Sequence, residues 1–297
     1  MNGRIADNTA FAPNTAWNRL RHNRLACVGM LMIALFLLAA LFGKWLAPHD
    51  PLLVSMSERL KPSSLQYPLG TDHLGRCIWS RLLAGTSVTL GLSFLVVAVV
   101  MLIGIPIGIL SGYRGGRTDA YFMRLADAAA ALPEFLLAVT VTGFLGPGLM
   151  KVMLAISCIK WISYARVVRG TIMSEKKQDY ILASIVAGSS PWAVNRRHLI
   201  RHIASPLAVM AALDVGRTIL LISALSYLGL GVQPPAPEWG AMLSEGRPYF
   251  QAAPQFMIYP GVAILAVVIA LNLLSDGLRD ALDVQSDRPS RRKRRYS

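Results

Sequence analysis

Six stretches of this sequence are each roughly 20 residues long or more and mostly apolar: Leu25–Leu46, Val88–Gly112, Ala120–Leu145, Leu149–Val168, Pro206–Val232 and Phe256–Leu274. A helix rises about 1.5 Å per residue, so a run of about 20 apolar residues crosses the ~30 Å hydrocarbon layer of a bilayer. In lipid the backbone must satisfy its own hydrogen bonds, which leaves helices and closed barrels as the spanning structures. No alternating pattern of barrel type occurs, so the expected fold is all-α and polytopic, with six transmembrane helices. Composition agrees. The chain is 54% hydrophobic and 15% charged, where a soluble domain carries about 25% charged residues. That much apolar material also excludes disorder for most of the chain. The first run is too long for a signal peptide and follows a 24-residue basic leader, which favours an uncleaved anchor.

The formal net charge is +14. In a soluble protein such an excess points to nucleic acid. In a membrane protein it records which loops stay in the cytoplasm. With the N-terminus inside, segments 1–24, 113–118, 169–204 and 275–297 hold about 19 Lys and Arg. The outer segments 47–87, 146–148 and 233–255 hold about 5. This asymmetry predicts both termini in the cytoplasm. The tail Arg291-Arg292-Lys293-Arg294-Arg295 then lies beside anionic lipid headgroups. No aromatic interleaving accompanies it, so membrane lipid is the expected partner and nucleic acid is not. The chain divides into a cytoplasmic segment 1–24, a first span with its outer loop 25–87, a core of five spans 88–283 and a basic tail 284–297.

Two loops are too long to be plain connectors. The outer loop contains Pro68-Leu69-Gly70-Thr71-Asp72-His73-Leu74-Gly75-Arg76, a spacing of Gly and Asp that marks tight turns. The stretch Ile78–Thr86 after it is amphipathic enough to lie in the interface. Asp72 and His73 are potential metal ligands, but adjacent residues do not readily converge on one ion, so a turn role is favoured. The inner loop 169–204 reads as helix, sharp turn, helix. A short helix fits up to Ala187 with Gly188 as its stop. Ser190 and Pro191 then suit the N-cap and first position of a second helix. Small residues Ala183, Ser184 and Ala187 on the first helix would let another surface approach closely, and Arg196, Arg197, His198 and Arg201 lie on the second. Such a hairpin suits docking of a partner; a solvated connector is the plain alternative.

Ionisable groups inside spans are costly and mark either structure or function. Arg124 and Asp127, and Asp214 and Arg217, sit three apart, so each pair can neutralise itself on one helix face. They serve either to hold the bundle together or to line a pathway. Lys44, Lys151 and Arg166 lie close enough to span ends to snorkel, whereas Lys160 is deeper with no partner evident from spacing. Pro106, Pro133 and Pro260 are expected to kink or break their spans. Gly104, Gly108 and Gly112 give one span a stripe for close helix packing. Cys27, Cys77 and Cys158 offer neither a disulfide framework nor a CxxC pair.

No phosphate-binding G-x-x-x-x-G-K-[ST] loop, H-E-x-x-H or G-x-S-x-G occurs, and the five histidines (His22, His49, His73, His198, His202) are scattered. Neither ATP hydrolysis nor a hydrolase site is supported. No catalytic, cofactor or metal site is expected.

From about Trp17 to Asp283 the chain resembles inner-membrane permease subunits of ATP-binding cassette (ABC) importers for dipeptides, oligopeptides and nickel, specifically the second, C-type permease. PLGTDHLGRCIWSRLLAGTSVTL (Pro68–Leu90) is similar to the family's PLGTDxLGRDxxSRxxxGxxxSL. MRLADAAAALPEFLLAV (Met123–Val139), YARVVRG (Tyr164–Gly170), SYLGLGVQPPAPEWGAML (Ser226–Leu243) and NLLSDGLRDALD (Asn272–Asp283) also match. The resemblance implies a type I importer fold in which Asp179–Pro206 is the coupling loop, the EAA motif, docking into an ATPase subunit. Asp179, Tyr180, Ala183, Ser184, Ala187, Gly188, Arg197 and His198 would carry the coupling contact. Leu182 stands at the motif's Glu, Ser184 and Ile185 replace an Ala and a basic residue, and Cys77 replaces an Asp. Arg201-His202 stand at its Pro-Asn, a departure similar to nickel and metallophore permeases. The implied partners are a homologous second permease, two ABC ATPases and a periplasmic solute-binding protein. The rival expectation is a secondary transporter or channel independent of ATP, which would show deep ionisable groups and inverted repeats.

Overall fold

The structure is a computed structural model and describes residues 13–188 and 200–282. Arg196, Arg197, His198, the expected cap at Ser190-Pro191 and the basic tail lie outside the described residues. Among those described, ten α-helices and short 3-10 turns make up the fold, with one isolated β-bridge between Thr71 and Cys77.

A short helix α1 (Pro13–His22) leads into α2 (Arg24–Leu46). Asn23 caps α2, its Oδ1 accepting from the amides of Leu25 at 3.1 Å and Ala26 at 3.3 Å. The outer loop then crosses to α3 (Ile78–Arg114), which is followed by α4 (Gly116–Ala130), α5 (Glu134–Leu145) and α6 (Leu149–Glu175). After α6 come α7 (Asp179–Val186), α8 (Ile200–Tyr227), the short α9 (Trp239–Gly246) and α10 (Gln255–Leu282).

The long helices form a bundle with two distinct ends, α2 and α8 starting from one and α3, α6 and α10 from the other. At the terminal face, Asn23 Nδ2 donates to Asp280, and Lys176 Nζ donates to the Tyr113 carbonyl at 2.7 Å. At the opposite loop face, the His49 amide donates to Ser80 Oγ and the Gly148 amide to the Leu230 carbonyl. Helices α2, α3, α8 and α10 are each long and apolar enough to cross a membrane, and the α4–α5 pair passes the same test as one broken span. The remaining sequence-predicted span is α6, 27 residues long and so about 40 Å at 1.5 Å per residue. It carries Lys151, Lys160, Arg166 and Arg169. It is also the helix most extensively packed against α3, and burial against protein is what lets a spanning helix hold such groups.

Two expectations change. The third span is not one helix: α4 and α5 meet at 89°, because Pro133 has no amide to continue the ladder and disfavours helical geometry at Leu132. Ile78–Thr86 is not a separate interfacial segment but the opening turns of the 37-residue α3, with Ile78, Ser80, Arg81, Leu83, Gly85 and Thr86 buried. Pro106 and Pro260 sit inside unbroken helices.

The core lies where α3, α6, α8 and α10 meet. Val96, Val100, Ile156, Tyr164, Val168, Ile219, Ile222, Leu225 and Val267 are buried there. The glycine stripe explains the tight α3–α6 seam. A Cβ at Gly104 would stand 2.6 Å from the Trp161 carbonyl oxygen, and one at Gly108 2.7 Å from that of Ala165. Only the missing side chain allows this approach. By contrast, Leu41 and Trp45 on α2 are 73% and 81% exposed, as a helix facing lipid should be.

Candidate functional site

A cavity of about 600 Å³ opens between α5, α6, α8 and α10 toward the terminal face. Along α8 its wall runs from Ser205 to Arg217, a depth of about 18 Å at helical rise. At its floor, Lys160 of α6 donates to Asp214 of α8 and, at 3.2 Å, to Thr218 Oγ1. Tyr164 O–H donates to the other Asp214 oxygen at 3.3 Å. Lys160 and Asp214 are 6% and 8% exposed, so two buried charges neutralise each other across helices. A third group, Glu134 at the start of α5, lies 3.7 Å from Lys160 and remains half exposed.

Both expected intrahelical pairs are therefore corrected. Asp214 takes Lys160 in place of Arg217, and Asp127 takes Arg166 of α6 at 2.7 Å in place of Arg124. Spacing on one helix shows which groups can meet. Packing of α6 against α4 and α8 supplied closer partners and gave the deep Lys160 its counter-charge. Arg217 lines the cavity at the far end of the α8 wall from Ser205.

Beside the cavity mouth, α6 turns through Lys176–Gln178 into α7. Lys176 Nζ also lies 4.9 Å from the Tyr113 ring centroid, which fixes the start of the turn. Ile181 is fully buried and anchors α7 to the core. Tyr180 O–H donates to the Glu175 carboxylate and meets His202 Nε2 at 3.2 Å, tying α6, α7 and α8 together. Burial, then this hydrogen bond and the Glu175 charge, push the Tyr180 phenol above its ordinary pKa. Ala183, Ala187 and Gly188 are exposed, Asp179 opens the helix, and Ser184 is half-buried. Gly188 has φ +84°, a left-handed geometry that favours glycine and ends α7.

The loop face is built differently. Asp72 Oδ1 accepts from the amides of Leu74 and Arg76, both at 2.9 Å, which is the turn role expected from sequence. Its other oxygen accepts from Arg76 Nε and Arg81 Nη1, each at 2.6 Å. Both arginines reach on to Glu245 of α9, at 2.5 and 2.8 Å. Burial pushes Asp72 and Glu245 up, but the two guanidinium groups outweigh it and hold both carboxyls below their usual range. His73 stacks on Tyr249, and burial lowers its pKa, outweighing Asp72 and Glu245. Asp72, His73 and Glu245 come within 4.8 Å of one another. A cation there would have to displace two buried arginines, so this donor set does not suit a metal. Next to it, Glu238 is fully buried and caps α9, accepting from Gly240 and Ala241 amides at 2.9 Å. Sequence reading missed the Arg81–Glu245 link, which joins residues far apart in the chain; the Glu238 cap had a signal in an acid just before an apolar run.

Residues 104–285 match the family described as binding-protein-dependent transport system inner membrane component, and residues 14–62 match the N-terminal transmembrane domain of oligopeptide transport permease C. The chain belongs to this family of bacterial inner-membrane transport permeases. It is 40% identical over 275 residues to a di/tripeptide transport system permease of Pseudomonas aeruginosa (strain UCBPP-PA14), covering 90% of each chain. It is 40% identical over 256 residues to the nickel transport system permease of Escherichia coli (strain K12), covering 86% of this chain and 92% of that one. It is 39% identical over 269 residues to a glutathione transport system permease of Pectobacterium atrosepticum, covering 90% and 89%. Identity is nearly level across these three cargoes, so likeness by itself does not name a cargo. The family does assign the helices to a multi-pass membrane permease.

Proposed function

We propose that the chain forms, with a homologous second permease, the membrane path of an importer driven by two separate ABC ATPases and supplied by a periplasmic solute-binding protein. Both termini lie in the cytoplasm, in keeping with the excess of Lys and Arg in segments 1–24, 113–118, 169–204 and 275–297. The terminal face is then cytoplasmic and the cavity opens inward.

The observation that carries this reading is the position of α7. It leaves α6 beside the cavity mouth, is rooted by Ile181 and presents Ala183, Ala187 and Gly188 outward. A partner gripping that surface acts on α6, which carries Lys160, and through Tyr180 on α8, which carries Asp214. ATPase closure would thus reach the walls of the cavity, as coupling between two sites requires. Asp179, Tyr180, Ser184, Arg197 and His198 belong to the same docking segment by resemblance. Arg124, Asp127, Asp214 and Arg217 divide between bracing the bundle and lining the path. Domain by domain, 25–87 supplies the peripheral span and outer loop, and 88–283 the moving core. The chain carries transport only; hydrolysis resides in the partners. A secondary transporter or channel is less well supported, because Asp214, the buried carboxylate of the described spans, is neutralised by Lys160.

The test is purification of the tagged chain from bacterial membranes in mild detergent. Two ATPase subunits and a second permease should co-purify, and uptake into reconstituted vesicles should require ATP. A chain that is stable alone and transports under an ion gradient would overturn the reading.

A further inference from the structure

Helix α4 carries two acids and two arginines, and its surroundings use them unequally. Asp119 accepts from Arg169 Nη2 at 2.6 Å and Asp127 from Arg166 Nη2 at 2.7 Å, both on α6. Phe122, Ala126 and Ala129 pack against Trp161, Ile162 and Ala165. Arg117, Tyr121 and Arg124 are spaced four and three apart on the opposite face, one turn after another. All three are exposed, and neither arginine has an ion pair among the described residues. With Ala120 and Leu125 they line an open hollow of about 560 Å³. The α6 partners give its depth. Arg169, Arg166 and Lys160 lie about 9, 14 and 22 Å in from the Glu175 end of α6 at helical rise. They meet Asp119, Asp127 and Glu134 in turn, so α4 starts near the terminal face and descends. The two guanidinium groups are therefore at the shallow end, where an arginine snorkels to headgroups. Exposed apolar side chains follow toward the deep end: Leu125, Leu132, Phe135 and Leu136. A soluble subunit would reach only the shallow part. A cationic patch above an apolar track matches an amphiphile with phosphate at its head and acyl chains below.

We propose that this face of α4 is a binding site for an anionic phospholipid of the leaflet at the terminal face. Arg117 and Arg124 hold the phosphate charge, and the Tyr121 hydroxyl donates to a headgroup oxygen. The acyl chains run over Leu125 toward Leu132, Phe135 and Leu136. The two α4 acids that would repel the headgroup are already neutralised by Arg166 and Arg169. Beyond Pro133, α5 turns away at 89° and contributes nothing to the lining of the hollow, so this face stays open to lipid.

Site-directed photolabelling tests it. The chain is purified in mild detergent with its accompanying subunits, carrying photoreactive p-benzoylphenylalanine in place of Leu125, and is irradiated with radiolabelled cardiolipin. Labelling should saturate, and the half-saturating concentration should rise at least about tenfold, or 1.4 kcal/mol, in Arg117→Gln/Arg124→Gln. Arg117→Lys/Arg124→Lys, which keeps the charge, should stay within about threefold of the parent on the same scale. Unlabelled cardiolipin should compete, whereas phosphatidylcholine and inorganic phosphate should not. Irradiation of intact bacterial membranes should give a lipid adduct at the same position. Unchanged labelling in the Gln variant, equal loss in the Lys variant, or displacement by phosphatidylcholine or inorganic phosphate overturns the site. A cross-link from this position to a second permease or an ATPase subunit overturns it too, by showing that protein covers the face. Labelling requires no ATPase subunit, so the lipid site and the importer reading fail separately.

Discussion

The two ends of this bundle use ionisable residues in opposite ways. At the loop face, Asp72, Arg76, Arg81 and Glu245 are paired with one another and largely buried, with Arg76 and Arg81 3% and 1% exposed. That cluster joins the outer loop, the start of α3 and α9 into one piece. At the terminal face, Lys160 meets Asp214 and Glu134 at the floor of the cavity, while Arg217, Asp276 and Arg279 line it without an ion-pair partner among the described residues. Charges consumed in pairing hold a structure in one arrangement, whereas charges left facing a cavity remain free to meet a ligand. The difference is between a clamped cap at the loop face and an open cavity at the terminal face.

The comparison can be broken most sharply at Arg81. Arg81→Ala leaves buried carboxylates short of a partner and should cost about 3–5 kcal/mol, read as a lowered melting temperature in detergent and loss of protein from the membrane. A normal melt would show that the loop-face cluster does not hold the cap. Gly104→Leu should follow, since a side chain has no room against Trp161 and Tyr164; overpacking costs about 1–3 kcal/mol. Retained folding with normal uptake would mean that the α3–α6 seam can yield.

Gly188→Arg addresses the terminal face alone. Uptake should be abolished and ATPase co-purification weakened, while stability falls by no more than the about 1–2 kcal/mol of a left-handed non-glycine residue, because a Cβ at Gly188 meets no described atom within 4 Å. Normal uptake and co-purification would remove α7 from the coupling reading. A pH series separates the faces again. Asp72 and Glu245 are held below their ordinary values, so their contribution is present above about pH 4 and fades as pH falls through the lowered folded values. Stability should begin to decline below about pH 6.5, where buried His73 resists protonation, and decline further below about 4, the second step being shallower in Asp72→Asn. The smallest effect is expected for Tyr180→Phe. Loss of the hydrogen bond to Glu175 should cost about 1 kcal/mol locally, seen as faster amide exchange in α7.

Much of the architecture was legible beforehand because hydrocarbon imposes a simple rule on any chain that enters it. Apolar runs of sufficient length marked the long helices, and Gly104, Gly108 and Gly112 announced the helix seam. Gly188 announced the end of α7, since a glycine after a short helix is a local stop signal. What failed were statements about partners. Asp214 was matched with Arg217 and Asp127 with Arg124 on one-helix spacing, whereas neighbouring helices delivered Lys160 and Arg166. Pro106, Pro133 and Pro260 were alike read as sites that kink or break a span, but which outcome a proline has depends on what packs around it. Pro106 and Pro260 are accommodated in α3 and α10, and Pro133 divides α4 from α5 at 89°.

By itself the sequence determined that this chain enters a membrane as several helices, that it lacks its own phosphate loop, and which loops are basic. Those properties follow from short windows of residues, where transfer energy and charge add locally. Only the tertiary structure decided that the outer loop is clamped by Arg81 and Glu245, 164 residues apart in the chain. It alone gathered charges from α5, α6, α8 and α10 around one cavity. Pairing of distant groups depends on which helices pack side by side, and that is settled by the whole core rather than by any segment of it.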